Sequence, residues 1–171
     1  LDEDLRDRMV FVGGPRQVGK TTLAMSLLGH DQDESSPGYL NWDVLTDRED
    51  ILRERIPSGQ PRIVLDEVHK YAGWRNLTKG LYDKNKRSVS FIVTGSARLD
   101  YYRKGGDSLQ GRYHYYRLHP FTLMESGDGP NAATVERLLR FGGFPEPYLR
   151  GEERFHRRWQ REHSARVIYE D

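Results

Sequence analysis

The stretch Gly14–Pro15–Arg16–Gln17–Val18–Gly19–Lys20–Thr21 constrains this chain more than any other, because it fills every fixed position of the pattern GxxxxGK[ST]. It follows the apolar run Met9–Val10–Phe11–Val12 and leads into Thr22–Leu28, a stretch of good helix formers. That strand–loop–helix context is what phosphate binding requires. Glycines let successive backbone N–H groups turn inward toward an anion, and the helix N-terminus adds partial positive charge. Lys20 can then reach the β- and γ-phosphates, and the Thr21 hydroxyl can ligate magnesium. The expected nucleotide-contacting set is Gly14, Pro15, Arg16, Gln17, Val18, Gly19, Lys20, Thr21 and Thr22, and the expected ligands are ATP and Mg2+.

At 171 residues the chain is long enough for one domain with a small appendage. Its formal net charge of +1 argues for neither a nucleic-acid nor a membrane partner. No apolar run reaches the length of a membrane span. With no cysteine, disulfides and thiolate metal sites are excluded, and together with a nucleotide site this leads to an expected cytoplasmic location. The chain begins at Leu1 and stops at Asp171 in a helical pattern, so a fragment of a longer protein is expected.

Strand and helix signals alternate along the chain. Tyr39–Asp43 reads as a short strand, and Thr46 with Glu49 three residues on reads as a capped helix start. Arg62–Glu67 is a buried-type strand, Trp74–Tyr82 carries helical spacing, and Ser88–Val93 is a further strand. Tyr113–Leu118 has the residues of an edge strand. This alternation implies an α/β fold, a three-layer arrangement of a parallel sheet between helices. From Asn131 the pattern becomes helical, with Val135, Leu138 and Leu139 in a stripe and a mixed-charge helix over 152–169. We therefore divide the chain into a P-loop core at 1–126 and a helical lid or linker segment at 127–171.

The second informative element is Ile63–Val64–Leu65–Asp66–Glu67, an apolar strand ending in two carboxylates. Behind a phosphate loop, Asp66 is placed to hold the magnesium shell and Glu67 to orient or deprotonate the water that attacks the γ-phosphate. Thr94–Gly95–Ser96 ends the next strand, where a hydroxyl can sense the γ-phosphate; the sequence does not separate Thr94 from Ser96. Arg112 precedes the last strand and is a candidate arginine finger acting on a neighbouring subunit of a homo-oligomer. Tyr101, Tyr102, Tyr113, Tyr115 and Tyr116 interleave with basic residues, a pattern that fits single-stranded nucleic acid and, more simply, an aromatic-rich strand. The six histidines show no ligand spacing, and His69 is read as structural.

These motifs resemble the prokaryotic AAA-type ATPases that carry a C-terminal domain of unknown function. The resemblance rests on Gly13–Leu23, Tyr39–Asp43, Ile63–Lys70, Val93–Ala97, Gly111–Ser126 and Phe141–Leu149, in the expected order. It implies strand order 5-1-4-3-2, with the Asp66 strand not adjacent to the loop strand. It also implies that Arg112 occupies the family's Gly-Arg position, that Phe144–Pro145–Glu146 belongs to a lid, and that a further C-terminal domain meets the nucleic-acid or protein partner. The expected activity is ATP hydrolysis that drives or switches that domain. The alternatives are a nucleotide-gated interaction module without significant turnover and a P-loop small-molecule kinase. Glu67 directly after Asp66 favours water over a kinase acceptor, and no guanine-specifying NKxD follows a strand.

Overall fold

The computed structural model of the chain describes residues 1–29, 33–96, 99, 109–126 and 129–169, the last three without side chains. Five parallel strands form one sheet: β1 Met9–Gly13, β2 Tyr39–Asn41, β3 Arg62–Asp66, β4 Ser90–Thr94 and β5 Tyr113–Arg117. Their spatial order is β2-β3-β4-β1-β5. Counted from the other edge this is 5-1-4-3-2, so β4 separates the Asp66 strand from the loop strand. β5 is an edge strand, as its residues suggest.

The alternation of side chains along a strand assigns each face of the sheet to its own helices. Met9, Phe11, Ile63, Leu65, Phe91 and Val93 pack with Ile51 of α3 (Leu45–Leu52) and with Trp74 and Leu81 of α4 (Trp74–Asn85). On the other face Val10, Val12, Val64 and Ile92 pack with Ala24, Met25 and Leu27 of α2 (Lys20–Leu28) and with Leu5 of the short α1 (Asp4–Asp7). A strand covered on both sides has no need for polar alternation, which is why β1, β3 and β4 read as near-continuous apolar runs. Burying Phe91, Ile63 and Leu65 contributes roughly 1.5–3 kcal/mol each.

Register carries the fold into the site. Asn41 pairs with Asp66, Asp66 with Thr94, and Thr94 with Val12. One row across the C-terminal edge of the sheet therefore holds the functional strand ends, one residue short of where β1 enters the loop.

One local expectation is corrected. Thr46 does not cap α3; the helix starts at Leu45, its N-cap is Val44, and no side chain caps it. With Thr46 already inside the first turn, Asp47 Oδ2 accepts from the Asn41 backbone N–H at 2.9 Å instead, tying the helix to β2.

Chain contacts divide the molecule into compact units at Leu1–Leu118 and His119–Asp171. Within the second, α5 (Ala132–Phe141) is capped by Asn131, whose Oδ1 accepts from Thr134 N–H at 2.9 Å. It is followed by α6 (Pro145–Arg150) and α7 (Glu153–Tyr169). Trp159 and His163 of α7 and Phe144 form one cluster of three rings in mutual contact, and Arg137 of α5 donates to the Tyr148 carbonyl of α6. Val135 and Leu139, expected to form an apolar stripe, are exposed. Among the described residues no helix is long and apolar enough to cross a membrane.

The phosphate loop leaves β1 through a tight contact. A Cβ on Gly13 would overlap the Tyr115 ring from β5, so only glycine fits there. Gly13→Ala is expected to cost about 1–3 kcal/mol of folding stability, the usual cost of overpacking. Tyr115→Phe in the same chain should return part of it, which urea denaturation followed by circular dichroism will measure.

Candidate nucleotide-binding site

The loop after β1 turns sharply through left-handed backbone. Gln17 (φ 62°) and Gly19 (φ 97°) both sit in the left-handed region, and Gly19 supplies it without steric cost. Gln17 is not glycine, so its left-handed backbone is a strained point of the loop. Gly19 is the N-cap of α2; no side chain caps this helix and no acid lies in its first turn. Its N-terminal dipole faces the loop with no acid of its own first turn, an arrangement suited to an anion. Lys20, almost buried, donates from Nζ to the carbonyls of Gly14 (3.2 Å) and Pro15 (2.8 Å), so its ammonium lies within the curl of the loop. Pro15, Arg16, Gln17, Val18 and Thr22 complete the stretch, with Val18 buried and Arg16, Gln17 and Thr22 exposed.

Asp66 is the hub of the site. It is 4% exposed, and three hydroxyls from three separate elements donate to its carboxylate. Thr21 Oγ1, in the first turn of α2, reaches Oδ2 at 3.1 Å. Tyr39 Oη, from β2, reaches the same oxygen at 2.6 Å. Thr94 Oγ1, from the end of β4, donates to Oδ1. A buried carboxylate requires this degree of satisfaction, since an unpaired one would carry a desolvation cost of several kcal/mol. Burial, then the hydrogen bond to Asp66, pushes the Tyr39 phenol far above its usual pKa, so it stays a donor. Asn41 Nδ2 in turn donates to Tyr39 Oη at 3.3 Å.

The Thr21 hydroxyl meets the Asp66 carboxylate one residue after Lys20, whose ammonium bonds to the loop carbonyls. Among the described residues no three His, Cys, Asp or Glu side chains gather as a metal cage. One hydroxyl and one carboxylate beside a phosphate loop is the donor set that suits magnesium, which keeps waters and substrate oxygens in its shell. The residues present therefore fit that ion.

Glu67 stands just beyond Asp66 with its backbone in the left-handed region (φ 58°, ψ 14°), an unusual state for a non-glycine residue. Its N–H donates to the Thr94 carbonyl at 3.1 Å, which holds the turn onto β4. The carboxylate is partly exposed and lies 3.4 Å from Lys70 Nζ and 3.8 Å from His69 Nε2. Lys70 also pairs with Asp43, and its ammonium is held above its ordinary pKa by these acids against the opposing effect of burial. Ser96, nearly buried, faces His69 Nε2 at 3.2 Å. Thr94 and Ser96, equivalent in sequence, are thus distinct in space: one serves Asp66, the other faces His69.

Arg112 is not brought to the loop of its own chain. Its carbonyl accepts from Met9 N–H, at the N-terminal end of the sheet, whereas the phosphate loop leaves the C-terminal end. The guanidinium forks onto Asp83 of α4, Nε to Oδ1 at 2.9 Å and Nη2 to Oδ2 at 3.2 Å. That pairing holds the Asp83 carboxyl below its usual pKa. Of the aromatic series, Tyr113 stacks on Phe11, Tyr115 packs at Gly13 and Tyr116 donates to Asp4. These three are engaged in packing and hydrogen bonding within the sheet unit. Tyr101 and Tyr102, with Ala97, Arg98, Arg103 and Lys104, lie outside the described residues.

Two participants had no assigned role in the sequence. Tyr39 was visible only as a strand aromatic, although its place two residues before an Asn at the strand end puts both on the Asp66 face. His69, which the sequence reads as structural, stands two residues after Glu67 with Nε2 toward Ser96.

A phosphate loop on β1, an acid at the end of β3 and the strand order 5-1-4-3-2 define a P-loop nucleotide-binding protein of the α/β class. The chain belongs to an AAA domain family, whose profile matches residues 6–126. It is therefore a nucleotide-binding, ATPase-like module. Two relatives share 28% identity over 144 residues: the uncharacterized protein Rv2008c of Mycobacterium tuberculosis and the uncharacterized protein Mb2031c of Mycobacterium bovis. Each alignment covers 84% of this chain but 31% of the relative, so the chain spans about a third of the length of these relatives.

The hub has a measurable cost of disruption. Thr94→Val keeps shape and removes one donor from a buried carboxylate, so it is expected to lower unfolding free energy by about 1–3 kcal/mol without any nucleotide present. Urea denaturation of the two proteins will test this, and equal stability would mean that the hydroxyl contributes little.

Proposed function

We propose that this chain binds Mg·ATP through residues 14–22 and hydrolyses it to drive or switch an attached C-terminal domain. The observation that carries the reading is the meeting of Thr21 Oγ1 and Asp66 Oδ2, 3.1 Å apart, at the helix start that follows the loop. In this reading Lys20 exchanges its bonds to the Gly14 and Pro15 carbonyls for the β- and γ-phosphate oxygens. Thr21 and Asp66 hold magnesium, which when bound neutralises charge across those oxygens. Tyr39 and Thr94 keep the Asp66 carboxylate aimed. Glu67 takes the proton of the water that attacks the γ-phosphorus as the bond to the ADP oxygen breaks, and Ser96 faces the γ-phosphate.

The Lys70–Glu67 ion pair supports a closely related second reading, a nucleotide-gated module whose turnover stays low until Glu67 is released. An arginine from a neighbouring copy would complete the charge balance at the γ-phosphate. For Arg112 to serve, its fork would have to leave Asp83. A nucleic-acid or protein partner, met through the attached domain, and a cytoplasmic setting belong to the same proposal.

Lys20 contacts phosphates in the ground state, whereas Glu67 acts on the water. Lys20→Ala is therefore expected to weaken ATP binding by about 100-fold or more, the loss of charged hydrogen bonds. Glu67→Gln should leave affinity nearly unchanged and lower turnover by about 10²- to 10⁴-fold, the usual contribution of general-base catalysis. Calorimetry and a phosphate-release assay on the same preparations separate the two. Unchanged affinity in Lys20→Ala would remove the loop from its role, and retained turnover in Glu67→Gln would remove Glu67.

A further inference from the structure

We infer that His69 is a positioning residue that holds Ser96 and Glu67 in register across the attacking-water side of the site, an inference that rests on the hydrolysis reading above. A single ring nitrogen faces both side chains: Nε2 lies 3.2 Å from Ser96 Oγ and 3.8 Å from Glu67 Oε2. The first is hydrogen-bond range; the second is one short side-chain movement away from it. The ring is nearly buried, so its orientation is set by packing rather than by solvent.

Three features of the chain build this placement. The left-handed backbone at Glu67 and the bond from its N–H to the Thr94 carbonyl fold the chain back onto the end of β4. The 3-10 turn Val68–Lys70 then carries His69 over that strand end. Gly95 makes the space, because a Cβ there would stand 2.5 Å from His69 Nδ1 and 2.9 Å from Cε1. A histidine kept only to fill the core would not need a glycine cut away beneath it and a reaction-facing side chain on either side of one nitrogen.

The chemistry follows from the hydroxyl's dual capacity. Ser96 can donate its proton to a γ-phosphate oxygen while its lone pair accepts from Nε2–H. The ring then fixes the serine rotamer, and the same nitrogen limits where the Glu67 carboxylate can settle. His69 itself touches neither nucleotide nor water. Its effect falls on the alignment of two groups that do, and misalignment of about 1 Å can cost on the order of 100-fold in rate.

The test is a double-mutant cycle in the full-length protein, with Mg·ATP turnover and nucleotide affinity measured together. His69→Leu is expected to lower kcat about 10- to 100-fold with affinity within about threefold of the parent. Ser96→Ala should show a loss of kcat as well, and the double variant should be no slower than the slower single one, as coupled groups behave. His69→Gln, whose amide can reach Ser96, should recover part of the rate, which a space-filling role would not predict. Gly95→Ala, at a position whose φ is not left-handed, pushes a methyl onto the ring as well as onto Leu99 Cδ1, 2.8 Å away, and should lower kcat with affinity kept. Full kcat in His69→Leu, or losses that multiply in the double variant, overturns the inference. Should His69→Leu fail to fold by circular dichroism, parental kcat in Gly95→Ala overturns it equally. An unmodified protein without Mg·ATP turnover removes the hydrolysis reading and this inference together, whereas turnover with multiplying losses removes only the inference.

Discussion

The Asp66 carboxylate is the point on which this site depends. It is nearly buried at the end of a hydrophobic strand, where an ionised acid is costly unless its oxygens are fully engaged. The chain engages them with hydroxyls from α2, β2 and β4. Four elements are thereby fastened at one carboxylate: β3 itself, the first turn of α2, the start of β2 and the end of β4. The electrostatic demand of one acid thus ties α2, the edge strand β2 and the central strands together. The same carboxylate is the one that would face magnesium, so the structure that satisfies Asp66 is also the structure that aims it.

Strand order makes this arrangement possible. Because β4 lies between β1 and β3, Thr94 comes level with both Asp66 and Val12 in the same row. A hydroxyl at the end of β4 can then serve as the fixed neighbour of the acid while Ser96, two residues on, turns toward His69. Had β3 paired directly with β1, the loop and the acid would adjoin but the strand carrying both hydroxyls would lie outside them. The five-strand order is therefore part of the chemistry as well as of the packing.

The sheet, its parallel sense, the phosphate loop and the two carboxylates were legible in the sequence because each rests on local pattern: apolar runs, glycine spacing, and charge at a strand end. What was not legible depends on geometry between distant residues. Tyr39 and Asp66 are 27 positions apart, and nothing in a run of β-propensity residues says which phenol meets an acid. Thr94 and Ser96 look alike until β4 is paired and the turn after Glu67 folds back. Arg112 sits at the end of a Gly-Arg pair that suggests a finger, yet within this chain it is taken by Asp83 at the opposite end of the sheet. Thr46 fitted a capping rule that reads four residues at a time, whereas the helix starts a residue earlier, at Leu45, and Asp47 bonds across to β2.

The central claim is that the curl of backbone from Gly14 to Lys20 and the paired Thr21 and Asp66 oxygens form one magnesium–nucleotide site. Isothermal titration calorimetry of the unmodified chain with ATP, first in magnesium and then in excess chelator, tests this most directly. The account predicts saturable one-to-one binding in magnesium that weakens measurably when the metal is removed. No binding under either condition, or binding that is indifferent to magnesium, would contradict it.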